Sequence, residues 1–188
     1  MPMGNEKAQG SSDTQTGTTP VSLAARNPLP IYFPVSLRKL VVMNFCTWGG
    51  YQFYWFYENW KIIQKREQSE VSPFWRTFFA FIYCFALFEK VQSTAASLKI
   101  RRSICPVTQA SGWILLSLLF ILPDPYWLVN FLSVFFILPV QQTANRINES
   151  LVPAHDRNER YSSWNKVAVL IGGVLLFVGV IAVFLRIK

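Results

Sequence analysis

Val167 to Leu185 reads V-A-V-L-I-G-G-V-L-L-F-V-G-V-I-A-V-F-L, a run with no charged residue. A bilayer hydrocarbon core of about 30 Å asks for roughly 20 apolar residues of helix, and this run meets that length. Working outward from it, four more apolar runs lie end to end: Ser103 to Leu122, Tyr126 to Ala144, Leu40 to Tyr57 and the shorter Thr77 to Phe88. The expected fold is therefore all-α, a multi-pass transmembrane bundle with about five membrane segments, at roughly 37–60, 73–91, 106–122, 125–146 and 164–186.

Composition points the same way. Of 188 residues, 52% are hydrophobic and only 15% charged, too few polar residues to cover a soluble globule. The net charge of +8 comes from Lys and Arg placed beside apolar runs, where they meet lipid headgroups and orient the spans. Nucleic acid is excluded as a partner because no basic helix or aromatic platform stands clear of the membrane segments. Residues 1–30 are rich in Gly, Ser, Thr, Gln and Pro and lack the apolar core of a secretory signal; they are expected to form an uncleaved, disordered cytoplasmic tail before a single membrane domain, 31–188. Cys46, Cys84 and Cys105 are widely spaced, with no Cys-x-x-Cys pair, and read as packing residues.

The turn Leu122, Pro123, Asp124, Pro125, Tyr126, Trp127 carries no Lys or Arg and reads as a tight hairpin on the non-cytoplasmic side, with Asp124 as the cap. Basic residues flank it at both far ends: Lys99, Arg101 and Arg102 before, Arg146, Arg157 and Arg160 after. Pro139 is expected to kink the following helix. Ser72 and Pro73 open the second run as a cap and a first-turn proline.

The first run departs from this pattern. It places Asn44, Thr47, Gly49, Gly50 and Gln52 among Trp48, Tyr51, Tyr54, Trp55, Tyr57 and Trp60, with basic residues at both ends. Two arrangements remain open. In one, five helices cross with the amino terminus in the cytoplasm, leaving Lys61, Lys65, Arg66 and Arg76 outside. In the other, the first run enters as far as Gly49 and Gly50 and returns, and the second run also fails to cross, which satisfies the charges but demands internal partners for the turning backbone. Five crossings is the expectation carried forward.

Candidate functional residues are few. Asn44, Gln52 and Asn130 are polar groups inside apolar runs that can pair across helices or line a polar cavity. Gln141, Asn145 and Asn148 share one helical face and offer a ridge for a headgroup or a partner loop. On the last helix, Ala168, Gly172, Leu175, Gly179 and Ala182 form a mostly small face for close packing within the chain or against a second copy or another membrane protein. The one histidine, His155, adjoins Asp156, but no nucleophile has a fixed relation to them. No metal-ligand spacing or phosphate-binding loop occurs. Catalytic, metal-binding and cofactor-binding residues are thus not expected, and membrane lipids are the expected surroundings.

Thr47, Gly49, Gly50, Tyr51, Tyr54, Trp55, Asn59 and Trp60, in the context T-W-G-G-Y-Q-F-Y-W-F-Y-E-N-W-K, resemble the signature of a family of small bacterial membrane proteins with no assigned activity. There a Thr-x-Gly-x-Tyr element runs into a Tyr-Trp-Phe-Tyr stretch. Val71 to Phe79 is similar to the opening of the following helix in related bacterial proteins, and Gly50 departs from the branched aliphatic residue usual at its position. The resemblance implies a multi-pass protein of the bacterial inner membrane and no catalytic residues. The function expected is that of a non-enzymatic accessory or scaffolding subunit. The alternative is a small transporter or lipid-handling protein in which the Gly49 and Gly50 break forms part of a pathway.

Overall fold

Thr47, Trp48 and Gly49 stop the first run partway. The computed structural model describes residues 29–101, 104–123 and 126–187, and these are helical with no strand among them. Helix α1, Leu37–Cys46, opens with the Ser36 hydroxyl accepting from the Lys39 amide at 3.3 Å. It ends where Trp48 and Gly49 enter the left-handed region, with φ of 55° and 86°, and the Gly49 amide reaches back to the Asn44 carbonyl at 2.9 Å. The Thr47 hydroxyl donates to the Met43 carbonyl and accepts from the Tyr51 amide, so one side chain closes α1 and opens α2, Gly50–Glu67.

The segment expected over 37–60 is therefore two helices, and its ends meet. Arg66, near the end of α2, donates to the Ile31 carbonyl at 3.1 Å; Asn59 accepts from the Phe33 amide at 3.1 Å; Tyr54 packs edge-on against Phe33. The extended stretch before α1 thus runs alongside α2 in the opposite sense, and the first run is a hairpin. The second run divides as well, into α3, Pro73–Phe78, and α4, Ala80–Ser97, with a break at Phe79. Pro73 occupies the first turn of α3, but the Ser72 side chain makes no capping bond.

Helix α5, Pro106–Leu118, tightens into a 3-10 turn, Leu119–Ile121; a second 3-10 stretch, Tyr126–Ser133, leads into α6, Val134–Leu151, which continues through Pro139. Helix α7 is Ser163–Ile187. Residues 1–28 of the expected tail, and the Asp124 cap, lie outside the described residues. Among the described residues, two helices are long and apolar enough to cross a membrane: Tyr126–Leu151, with mean hydropathy 1.3, and Ser163–Val183, with 2.6. Five straight crossings are not what these helices present.

The core gathers Trp55, Trp60, Trp113, Phe56, Phe88, Ile137 and Ile147, all fully buried. Lys90, midway along α4, pairs with Glu67 at the end of α2 at 2.8 Å. Lys39, almost fully buried at the start of α1, donates to Asn158 Oδ1 and to the Arg160 carbonyl, each at 2.8 Å, which satisfies an ammonium otherwise costly to bury.

Helix α7 lies on α1 so closely that a Cβ on Gly172 would stand 1.6 Å from the Cys46 carbonyl oxygen. Gly179 sits beneath Trp48, which stacks on Trp127 at 5.1 Å. Ala168 is half-buried on this face, but Leu175 and Ala182 are exposed, correcting the expected stripe. At about 100° per residue, Val183 comes back to within about 20° of Gly172, whereas Ala182 falls about 80° away. The contact line is Ala168, Gly172, Gly179 and buried Val183; Leu170, Phe177 and Leu185 point outward, each at least 68% exposed.

Candidate functional site

Behind the Thr47–Gly50 break, side chains from three runs converge. Gln52 Nε2 donates to Asn44 Oδ1 at 2.6 Å and to Ser133 Oγ at 2.8 Å. Gln52 Oε1 accepts from the Trp113 indole, and Asn44 Nδ2 donates to the Phe131 carbonyl at 3.3 Å. All four side chains are buried, so each bond replaces a lost contact with water. Of the two roles open to Asn44 and Gln52, pairing across helices is the one these bonds make, holding α1, α2, α5 and the Tyr126–Ser133 stretch together, while Gln52 also reaches the cavity wall.

Asn130 is the third residue of that expected set and behaves differently. It is 8% exposed, and a Cβ on Gly49 would approach its Nδ2 to 3.3 Å. Gly49 thus serves twice: its positive φ makes the turn, and its missing side chain leaves room for the amide. Asn130 lines a cavity of about 340 Å³ with Thr47, Gly49, Gly50, Gln52, Phe53, Phe81, Trp113, Ser117, Leu118, Phe120 and Ile121, together with Trp48. Among the described residues, the Asn130 side chain makes no hydrogen bond.

The aromatic motif divides between this cavity and the core. Thr47, Gly49 and Gly50 form the cavity wall; Tyr51 is buried, its ring 5.4 Å from that of half-exposed Tyr54. Trp55 is buried and its indole donates to Gln141 Oε1. Asn59 is buried and bridges the Trp55 carbonyl and the Phe33 amide. Trp60 lies under the Arg76 guanidinium, 4.4 Å from the ring centre.

The ridge on α6 is occupied by the chain itself. Asn148 Oδ1 accepts from the Ile31 and Tyr32 amides at 2.9 and 3.0 Å, and its Nδ2 donates to the Tyr32 carbonyl at 2.8 Å. Gln141 and Asn145 donate to the Phe33 and Val35 carbonyls, and Asn158 to that of Pro34. The ridge expected to take a headgroup or a partner loop therefore clamps the extended segment ahead of α1. His155 is buried with Nδ1 2.6 Å from the Val152 carbonyl, and Asp156 accepts from the Asn158 amide, so the two serve a loop. Among the described residues, no group of three or more His, Cys, Asp or Glu converges as a metal site would require.

Trp113, Ser117 and Ser133 were not singled out from the sequence. Each is a lone polar atom inside an apolar run, the same signal that marked Asn44 and Asn130, but Ser and Trp are common enough in such runs to pass unnoticed. Comparison with family models, with curated proteins and with solved structures found no match.

Proposed function

We propose that this is an integral membrane protein that holds a lipid-soluble molecule without transforming it, the lipid-handling reading rather than the scaffolding one. The observation that carries it is the cavity at the break in the first run: largely aromatic and aliphatic, with a polar end, and with no titratable side chain among its described lining residues. A site with no acid or base cannot move protons, and so suits binding rather than reaction. A helix break that lines a cavity is also the arrangement in which turning backbone survives within a membrane.

Three features support the membrane setting. α7 and Tyr126–Leu151 have the required length and apolarity. The outward side of α7 and the aromatic face of α3, with Phe74, Trp75 and Phe78 all more than half exposed, suit lipid and the interfacial zone. The returning first run keeps Lys61, Lys65 and Arg66 on the same side as Arg38 and Lys39, in keeping with a cytoplasmic amino terminus. Placement in a bacterial inner membrane rests on the resemblance of the Thr47–Trp60 motif. The scaffolding reading loses one of its supports, because Gly172 and Gly179, two of the small residues offered to a partner, are covered by α1 and Trp48.

Mass spectrometry of the protein extracted with its native lipids tests this reading. One enriched lipid or small molecule at stoichiometric level is expected; a stoichiometric second protein with no such molecule overturns it in favour of the accessory subunit. Topology is tested separately with single cysteines at Lys65 and Arg101 in a cysteine-free background. A returning hairpin leaves both unlabelled from outside, whereas labelling at Lys65 alone restores five crossings.

A further inference from the structure

We infer that the cavity selects an uncharged amphiphile, with a hydroxyl or carbonyl head and a hydrocarbon body, and that Asn130 reads the head. This rests on the lipid-handling reading and names its ligand class. Two of the other polar groups near the break are already committed, the Gln52 amide to Asn44, Ser133 and Trp113 and the Thr47 hydroxyl to Met43 and Tyr51, while the half-buried Ser117 hydroxyl, which also lines the cavity, is a second group open to the head. The Asn130 side chain is not committed, although it is more than nine-tenths buried and faces the cavity. A primary amide carries two donors and a carbonyl acceptor, and leaving such a group dry costs about 1–3 kcal/mol. A hydroxyl satisfies both kinds of site and a carbonyl satisfies the donors.

Charge decides the rest of the head. Among the described residues, no Lys, Arg, His, Asp or Glu lines the cavity, so a carboxylate, phosphate or ammonium would lose its hydration without a counter-charge. The body follows from Phe53, Leu118, Phe120 and Ile121, which line the cavity and are themselves 43–80% exposed, so the mouth opens on the apolar outer surface. At about 30 Å³ for each water-sized group, 340 Å³ accepts on the order of ten non-hydrogen atoms. That is a head and its first few carbons, the remaining chain leaving through the mouth toward lipid.

The test is tryptophan quenching in detergent micelles by three bromine-labelled probes of equal chain length: a monoacylglycerol, a fatty acid at pH 8, and an alkane. Trp48 and Trp113 line the cavity and report occupancy. The expected result is saturable quenching by the monoacylglycerol, weaker quenching by the other two, and a roughly ten-fold loss of monoacylglycerol affinity in Asn130→Leu. Should that variant not fold, Ser117→Ala, at the same cavity, is expected to lose about three-fold. Equal affinity for the alkane, or unchanged affinity in the variants, overturns head recognition while leaving lipid handling in place. Tighter binding of the fatty acid overturns the uncharged class. Absence of saturable quenching by all three overturns the lipid-handling reading itself.

Discussion

Two stretches of non-helical backbone, Ile31–Val35 and Thr47–Gly49, are accommodated in opposite ways. The first is satisfied from a distance: amides of Asn59, Gln141, Asn145, Asn148 and Asn158, carried by α2, α6 and the following loop, bond its backbone. The second is satisfied locally, by Thr47 and by backbone bonds that span only a few residues. Distant amides are thereby fixed in one place and released in the other. Asn148 is structural because an extended segment has no internal hydrogen bonds, and the Asn130 side chain makes no bond among the described residues because a turn between helices closes its own.

The sharpest way to break this contrast is Asn148→Ala. It removes bonds to the Ile31 and Tyr32 amides and to the Tyr32 carbonyl and is expected to cost about 3 kcal/mol, at roughly 1 kcal/mol per bond. Thermal unfolding followed by tryptophan fluorescence would register it, and faster exchange of those two amides would locate it; unchanged exchange would mean the extended segment is held by something else. Next is Gly172→Ala, whose added methyl meets the Cys46 carbonyl at the foot of the break. It should cost about 2 kcal/mol through forced separation of α1 and α7, seen as a lowered melting temperature.

Asn130→Leu sharpens the comparison from the other side. Because no described bond is lost and an unpartnered buried amide gives way to an apolar side chain, stability should hold or rise, by about 1 kcal/mol. A loss comparable to that of Asn148→Ala would show that the amide is structural after all. The smallest effect concerns Glu67, which holds the end of α2 to α4. Its hydrogen bond to Lys90 keeps its carboxyl below the ordinary value of 4.5. A lowered carboxylate pKa means that the contribution is complete above that ordinary value and is lost as pH falls through the lowered one. Melting temperature should therefore decline slightly more on acidification in the native protein than in Glu67→Gln.

Much of this was legible in the residues. The apolar run of α7, the oddity at Thr47–Gly50 and the polar positions Asn44, Gln52, Asn130, Gln141, Asn145 and Asn148 all stand out, because a polar group in an apolar run must find a partner. Which partner it finds was not legible. Gln141 and Asn148 looked like a docking ridge, yet their partner lies more than a hundred residues earlier in the chain. The small stripe of α7 holds at Ala168, Gly172 and Gly179 and fails at Leu175 and at Ala182, where Val183 turns inward instead, since composition marks where close approach is allowed and not where the neighbour lies.

The sequence by itself determined that this chain is helical, has apolar lengths suited to a bilayer, and interrupts its first run where glycine replaces side chains. Those are properties of local spacing and transfer free energy, which neighbours in the chain decide. Only the tertiary structure decided that the first run returns on itself, that Asn44, Gln52 and Asn148 are used internally, and that Asn130 remains unpaired in a cavity. Hydrogen-bond satisfaction is settled by geometry between distant segments, and an amide is structural or available according to what the fold brings within about 3 Å of it.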